Sequence, residues 1–330
     1  MTRNRLVIAA VLLMVPVIAP AAGPPPRLGL PVQCRIGDDC LVQKLVDLDP
    51  GPGRSDYRCG TLTTDGHDGI DIRVRTLADM RAGVAVVAAA PGRVLRTRDG
   101  EPDISVKARG DLGGRDAGNS VIVDHGDGWQ TQYSHLRQGS VMVRPGDVVG
   151  AAAEIGKIGM SGNAEFPHLH FTLRHNAAAV DPFIGRAAVG CRPDGGAATL
   201  WTPAAAAALR YRPTMLIAAG IGPAAPTGAV VDREGAGTGI AADAPLLLWA
   251  QVIGAAPGDT QGFQIRDAAE RMIVDVSRPV DRGGLYWLGY SGRRAPPGGW
   301  PAGTYSGRYQ YLRGGVLLFE REFRILMPGG

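Results

Sequence analysis

Closely spaced turns that contain proline or glycine most limit how residues 60–185 of this 330-residue chain can fold. Short runs of apolar and β-branched residues separate these turns, and no helical segment is recognised between them. The turns are Pro91-Gly92, Gly126-Asp127-Gly128, Pro145-Gly146 and Ser161-Gly162. Strands that follow one another in this way pair antiparallel. The sequence therefore predicts an all-β, antiparallel sheet for this region.

The runs between these turns are predicted to be strands, and the polar, Gly-rich insertion from Asp99 to Gly118 is predicted to be a surface loop. The predicted strands are residues 71–74, 84–88, 92–97, 120–123, 131–135, 148–150 and 168–173. The Pro/Gly-rich residues 22–58 are interpreted as an ordered arm, in which residues 40–48 form a short helical turn or a strand.

The C-terminal part is predicted to form a second β domain in which no motif carries chemistry. Residues 186–212 are interpreted as a linker, in which Thr202 caps a short helix that starts with Pro203. Between residues 213 and 330 we predict about seven strands and a hairpin turn at Gly314-Gly315, which indicates a small, Ig-like β-sandwich. We expect this sandwich to be a binding or packing module.

The first 21 residues have the pattern of a secretory signal peptide. Arg3 and Arg5 precede an apolar run from Leu6 to Ile18, and Ala19-Pro20-Ala21 offers small residues for cleavage. The apolar run is short for a membrane span. We therefore expect an exported protein, in the periplasm or at the cell wall, that is not an integral membrane protein after cleavage. A retained N-terminal anchor is the alternative.

The four cysteines are predicted to form two disulfides, because an even number of cysteines in an exported chain favours cystine. Their spacings match no zinc-finger pattern, and three pairings are possible. We predict a local Cys34–Cys40 bond and a Cys59–Cys191 bond that ties the start of the first β domain to its end. Free buried thiols are the alternative.

The charge of the chain argues against nucleic acid as a partner. The formal net charge is only +4, and the sequence has no Lys/Arg cluster with interleaved aromatic residues.

Two histidines at alternate positions of one predicted strand are the first candidates for a functional site. His168 and His170 are two residues apart, so their side chains leave the same face of the strand, while Leu169 and Phe171 face the core. Paired imidazoles are common metal ligands. A structural pair of histidines on a polar sheet face is the alternative.

A histidine and a carboxylate four residues apart supply further candidate ligands upstream. A straight strand would separate His67 from Asp71 by about 13 Å, too far to share one ion. A helix would bring them together, but Gly66 and Gly69 argue against one, so we predict a bend at Gly69 that leads into a strand. His135, at a strand end, is the fifth candidate. A catalytic zinc ion takes three protein ligands, which leaves two of the five for acid–base or electrostatic roles.

Three motifs in this order resemble those of the lysostaphin-type, or LytM-like, zinc metallo-endopeptidases, which cut peptidoglycan. The motifs are Gly66 to Ile72, Tyr133 to Leu136 and Pro167 to Phe171, and the resemblance covers about residues 60–185. By position, the resemblance implies that His67, Asp71 and His170 bind Zn²⁺. It further implies that His135 and His168 orient the water and stabilise the developing charge. A peptidase domain over residues 59–185 is thus expected.

The resemblance implies an endopeptidase that hydrolyses peptide cross-links or stem peptides of bacterial peptidoglycan. The alternative is a catalytically silent peptidoglycan-binding protein, or an activator of another cell-wall hydrolase; retention of all five residues favours hydrolysis. Residues 161–166 depart from the Gly- and Thr-rich loop of many relatives, so the substrate preference does not carry over. Gly–Gly bridges and D-alanyl–diaminopimelate cross-links both suit the chemistry, and the composition favours the second. Covering of the zinc by the N-terminal arm would make the protein latent.

Overall fold

The computed structural model describes residues 24–187, 190–191, 193–194, 198–237 and 240–328. The predicted signal peptide lies outside these residues. The described elements are mostly strands paired antiparallel, which confirms the predicted all-β fold. Within the described residues, no helix is both long enough and apolar enough to cross a membrane.

The first half of the chain forms one large sheet and a small two-stranded one. The elements are β1 (Cys40–Lys44), β2 (Ile70–Val74), α1 (Leu77–Ala82), β3 (Ala85–Val87), β4 (Gly92–Arg98), α2 (Val106–Arg109), β5 (Asn119–Gly126), β6 (Trp129–Leu136), β7 (Val148–Val149), β8 (Glu154–Lys157), β9 (His168–His175), β10 (Ala178–Asp181) and β11 (Arg186–Ala187). The large sheet runs β1-β2-β9-β6-β5-β4-β7, with β10 on β9 and β11 on β10, and β3 pairs with β8. Every predicted strand of this region overlaps an observed strand.

Two helices of this half were not predicted. Helix α1 begins after Thr76, whose hydroxyl accepts a hydrogen bond from the amide of Asp79 while the Asp79 carboxylate accepts one from the amide of Thr76. This reciprocal capping is readable in the sequence as Thr-x-x-Asp. Helix α2 is a single turn inside the 99–118 insertion, which was predicted to be a loop.

The N-terminal arm is built into the sheet rather than lying over it. Residues 40–44 form the edge strand β1, which pairs with β2, so the strand alternative for this segment is correct. The two disulfides are Cys34–Cys40 and Cys59–Cys191, as predicted. The second bond joins the chain ahead of β2 to the chain that follows β11.

The second half of the chain is a pair of four-stranded sheets. Its elements are α3 (Pro203–Ala208), β12 (Met215–Gly222), β13 (Gly235–Ala236), β14 (Leu246–Ile253), β15 (Thr260–Arg266), β16 (Met272–Pro279), β17 (Trp287–Arg293), β18 (Gly303–Arg313) and β19 (Val316–Met327). The sheets run β13-β12-β14-β17 and β16-β15-β18-β19. Residues of both sheets, including Tyr305, Tyr309 and Tyr311, share one buried apolar core. The architecture is therefore a β-sandwich, whose Ig-like character stays a prediction.

The sandwich is docked onto the first half through the strand β12. This strand is buried along its whole length, with Met215 and Ile217 in the core of the first half and Leu216 and Ala219 in the core of the sandwich. The sequence of a strand that is covered on both faces is a continuous apolar run rather than an alternation of apolar and polar residues. Residues 199–209, which include α3 capped by Thr202, also pack into the first core. The boundaries at residues 186 and 213 stay a prediction.

Candidate metal centre

Asp71 and His170 meet because β2 and β9 are neighbours in the large sheet. The two residues lie directly opposite each other in the antiparallel register, and Nδ1 of His170 is 2.9 Å from Oδ1 of Asp71. His67 lies in the turn before β2 and brings its Nε2 to 3.1 Å from the same oxygen. One ligand atom from each of these three residues lies within 4.8 Å of the other two. The three predicted metal ligands thus converge on one point.

Gly69 allows the turn that carries His67 to fold back over β9. A Cβ atom at this position would lie 2.6 Å from Nε2 of His170 and 2.7 Å from the carbonyl oxygen of Phe171. We predicted a glycine-dependent bend at Gly69, but its φ is outside the left-handed region, and it is Gly66 that adopts a φ of +71°. Gly69 is therefore required for space and not for backbone conformation.

The two histidines of this candidate metal-binding group are oriented by hydrogen bonds at their other nitrogens. Nδ1 of His67 donates to the carbonyl oxygen of Leu45 over 2.8 Å, which leaves the Nε2 lone pair for a metal. Nε2 of His170 lies 3.1 Å from Oδ1 of Asp68, whose other oxygen accepts a hydrogen bond from Arg174 over 2.8 Å. Partners of this kind fix the tautomer and the orientation of a ligating imidazole.

Asp71 is held as a carboxylate although it is buried. Burial alone would raise the pKa of Asp71, but the imidazoles of His67 and His168 and the hydrogen bond with His170 outweigh it and hold the pKa well below its usual range. Nζ of Lys44, from the N-terminal arm, lies 3.3 Å from Oδ2 of Asp71. A buried anion among imidazoles is the electrostatic setting that a divalent cation requires.

His170 differs from His135 and His168 in the direction of its pKa shift. Burial alone would lower the pKa of His170, but its hydrogen bonds with Asp68 and Asp71 raise it to about 9. Its imidazole therefore carries a proton at neutral pH in the metal-free protein. Because a metal ion binds only a ring nitrogen without a proton, binding of a metal at Nδ1 would displace one proton from this ring.

His135 and His168 lie beside this group as neutral imidazoles. Burial, together with His168 and His170, holds the pKa of His135 well below its usual value. Burial also lowers the pKa of His168 to about 4. Their ring centroids are 4.7 Å apart, and Nε2 of His168 is 3.5 Å from Oδ1 of Asp71. All five predicted site residues thus lie together.

The orientation of both neutral imidazoles is fixed through Nδ1. Nδ1 of His135 donates to the carbonyl oxygen of Ser161, and Nδ1 of His168 donates to that of Phe166, each over 2.8 Å. The Nε2 atoms therefore carry the lone pairs. His135 has a φ of +62°, and its amide donates to the carbonyl oxygen of Ala117. The predicted surface loop thus supports a site residue directly.

Two further histidines and one glutamate lie outside this group of five residues. His125 contacts the carbonyl oxygen of Pro91 through Nδ1, and His175 stacks on Trp129 with ring centroids 4.3 Å apart. Glu165 forms an ion pair with Lys107 over 2.8 Å at the cleft rim.

The five residues lie on one cleft of about 840 Å³. Sequence reasoning missed several groups that line it: Lys44 from the arm, Asp68 and Arg174 around His170, and Tyr286 from the sandwich. Asp68 could have been recognised as a candidate from the sequence, because it lies between His67 and Asp71. Two imidazole nitrogens and one carboxylate oxygen form a donor set of the kind that binds catalytic zinc, so the residues fit this ion.

Comparison with known proteins finds one family model that matches the segment with the five site residues. Residues 65–182 match the family model described as Peptidase family M23. The cell division protein DipM of Caulobacter vibrioides is 29% identical over 128 residues, which cover 37% of this chain and 18% of DipM. The peptidoglycan DD-endopeptidase ShyA of Vibrio cholerae is 39% identical over 57 residues, which cover 17% of this chain and 13% of ShyA.

A third relative is the DD-carboxypeptidase/endopeptidase Mpg of Neisseria meningitidis. It is 37% identical over 68 residues, which cover 20% of this chain and 14% of Mpg. The chain thus spans less than a fifth of the length of each of these three relatives.

Proposed function

We propose, from the premise that residues 65–182 form a peptidase family M23 domain, that this protein is a zinc-dependent endopeptidase that hydrolyses a peptide bond of bacterial peptidoglycan. The observation that carries the proposal is the convergence of four histidines and one aspartate in a single cleft. These residues are His67, Asp71, His135, His168 and His170. Two neutral imidazoles beside a candidate metal-binding group can supply the proton transfers that metal-assisted hydrolysis of an amide needs.

His67, Asp71 and His170 are proposed to hold Zn²⁺ through Nε2, a carboxylate oxygen and Nδ1, respectively. When bound, zinc supplies a Lewis acid that lowers the pKa of water and polarises a carbonyl group. The buried carboxylate of Asp71 offsets part of the charge of the ion. Asp68 keeps the ring of His170 in place by accepting a hydrogen bond at Nε2.

His168 and His135 are proposed to move the protons of the reaction. Hydrolysis places the hydroxyl group of water on the acyl carbon and one proton on the departing amine. Because Nδ1 of each ring donates to a backbone carbonyl, Nε2 is the atom that accepts the proton of the water and returns it to the amine. A ring that carries the proton also stabilises the negative charge on the tetrahedral oxygen.

The bond proposed to be cleaved is the D-alanyl–diaminopimelate cross-link. Two of the relatives above are named as a peptidoglycan DD-endopeptidase, ShyA, and as a DD-carboxypeptidase/endopeptidase, Mpg, which supports this choice over a Gly–Gly bridge. The protein is proposed to act outside the cytoplasm, since its two disulfides are typical of exported proteins. A catalytically silent peptidoglycan binder, or an activator of another hydrolase, is the competing proposal.

The proposal is tested by incubating zinc-loaded protein with sacculi of both cross-link types and identifying released fragments by mass. We expect the wild type to release fragments from D-alanyl–diaminopimelate sacculi, and a chelator to abolish release. His168→Ala should lose at least ~100-fold in rate, the range of one lost acid–base group. His175→Ala is the matched control, because that ring lies on Trp129 and outside the cleft.

A second measurement separates metal binding from proton transfer. Zinc content should be about one ion per chain in the wild type and in His168→Ala, and it should be lost in His67→Ala and His170→Ala. Fragment release that persists in the chelated protein would overturn the proposal. Wild-type protein that binds sacculi without releasing fragments would favour the silent binder.

A further inference from the structure

The sandwich contributes its own residues to the cleft that holds the five site residues. Thr227, Gly228 and Ala229, in the connection between β12 and β13, line this cleft together with Leu285 and Tyr286, which precede β17. All five are uncharged. They lie about 50 to 120 residues after the last histidine of the site in the sequence, so only the docking of the sandwich brings them here.

The segment Thr227–Ala229 is held in place by the sandwich itself. The carbonyl oxygen of Gly228 accepts hydrogen bonds from the phenol of Tyr286 over 2.6 Å and from the side-chain amide of Gln251 over 2.8 Å. Gln251 is fully buried in β14. A segment anchored in this way keeps its position when a substrate binds, which lowers the entropic cost of binding.

Arg73 joins this segment to the catalytic side of the cleft. Its guanidinium is buried and donates to the carbonyl oxygen of Ala229 over 3.3 Å and to Gln43 over 2.7 Å. The same group lies 4.5 Å from the ring centroid of Phe166. Within the described part of the chain, no carboxylate lies at ion-pair distance from Arg73, so carbonyl and amide oxygens and an aromatic face stabilise its charge.

Phe166 in turn contacts His168, so contacts run from Ala229 through Arg73 and Phe166 to this histidine. The ring of Phe166 is 4.6 Å from that of His168, and the carbonyl oxygen of Phe166 accepts the hydrogen bond from Nδ1 of His168. Arg73 and His168 are also register partners in β2 and β9. The segment of the sandwich therefore lies on the His168 side of the cleft.

We propose that the sandwich is a fixed second wall of the substrate cleft, in which Thr227–Ala229 and Tyr286 contact the peptide bound beside His168. This inference rests on the proposed function and adds to it a specificity-determining role for the sandwich. An uncharged wall of backbone and one phenol ring is suited to a peptide strand, which offers amide groups and small side chains. Arg73 holds the wall against Phe166.

The wall is tested by binding of a soluble, D-alanyl–diaminopimelate-linked muropeptide dimer to zinc-loaded protein in an inactive His135→Ala background. Thr227→Trp narrows the cleft at an exposed residue, and Tyr286→Phe removes only the hydroxyl that holds Gly228. We expect Thr227→Trp to weaken binding at least tenfold and Tyr286→Phe to weaken it severalfold. Tyr290→Phe is the matched control, since that side chain is exposed and outside the cleft.

In the otherwise wild-type enzyme, the same variants should raise KM with kcat nearly unchanged, because the wall binds substrate and transition state alike. Zinc content and melting temperature should match the wild type. Unchanged muropeptide binding in Thr227→Trp would overturn the second wall even if the enzyme is active. If the His135→Ala protein with an unmutated wall does not bind the muropeptide, the proposed function is refuted, and this inference with it.

Discussion

Oδ1 of Asp68 lies 3.1 Å from Nε2 of His170, at the ring nitrogen that does not face Asp71. His170 is thereby held between two carboxylates, one at each nitrogen. Arg174 fixes the outer carboxylate through a 2.8 Å ion pair and also donates to Gln132. The orientation of His170 is therefore set by residues that lie outside the candidate metal-binding group.

Asp68→Asn is expected to weaken zinc binding by about 10- to 100-fold, the usual effect of removing an outer partner of a metal-bound histidine. The reason is that a neutral amide accepts the hydrogen bond from Nε2 less strongly than a carboxylate. Affinity is measured by competition with a chromogenic chelator. Asp116→Asn is the matched control, because Asp116 lines the same cleft but contacts Asn163. Equal zinc affinity in the two variants would refute the role of Asp68.

Gly69→Ala is expected to abolish stoichiometric zinc binding and to destabilise the fold by about 1–3 kcal/mol, the usual cost of overpacking. The added methyl group would lie 2.6 Å from Nε2 of His170, so either the ring or the turn must move. Zinc content and urea unfolding measure the two effects. Gly150→Ala serves as the control, since its Cβ would meet open space. Full zinc content in Gly69→Ala would contradict this account.

Asp181→Asn is expected to remove a loss of stability that the wild type shows as the pH rises from about 4 to about 7. Burial, reinforced by the charge of Asp56, raises the pKa of Asp181 to about 7, and its Oδ2 has no hydrogen-bond partner in the described part of the chain. An unfolded aspartate has a pKa of about 3.9. The folded state thus holds a proton that the unfolded state has lost, so the contribution of Asp181 is present below pH ~4 and declines up to pH ~7.

The asparagine keeps the oxygen that accepts a hydrogen bond from the amide of Phe183 but does not titrate. The free energy of unfolding of Asp181→Asn relative to the wild type should therefore rise between pH 5 and pH 8. Other titrating groups occur in both proteins and cancel in this difference. A difference that stays constant with pH would show that Asp181 is ionised in the folded protein over the whole range.

The two disulfides are expected to differ in their contributions to stability. Cys59–Cys191 closes a loop with a sequence separation of 132 residues, whereas Cys34–Cys40 spans only 6. The loss of chain entropy in the unfolded state grows with loop length, and it amounts to roughly 5 kcal/mol for the long loop and roughly 2 kcal/mol for the short one. Urea unfolding of the two double-serine variants measures the difference. Equal losses would indicate that the short bond acts through the folded state.

Most strands of the first half follow from local pattern, because alternation and turn residues act over a few positions, whereas β8, β10 and β11 were not predicted. The side chains of β9 illustrate this point: Leu169 and Phe171 are buried in the core, while His168 and His170 face the cleft. Helix α1 was not predicted, although its capping pair, Thr76 and Asp79, is visible in the sequence. The role of Gly69 was predicted only in part. The imidazole of His170, which occupies the space that a Cβ atom at Gly69 would need, belongs to the distant strand β9.

The sequence alone determined the candidate metal-binding residues, the strand that presents two of the histidines and the antiparallel class of the fold, because each depends on short-range spacing. Only the tertiary structure decided that Asp68 contacts His170, that the 99–118 insertion supports His135 and that residues of the sandwich line the cleft. These contacts join residues far apart in the chain, and local pattern carries no information about which distant surfaces pack together. The docking of β12, buried on both faces, brings the sandwich to the cleft.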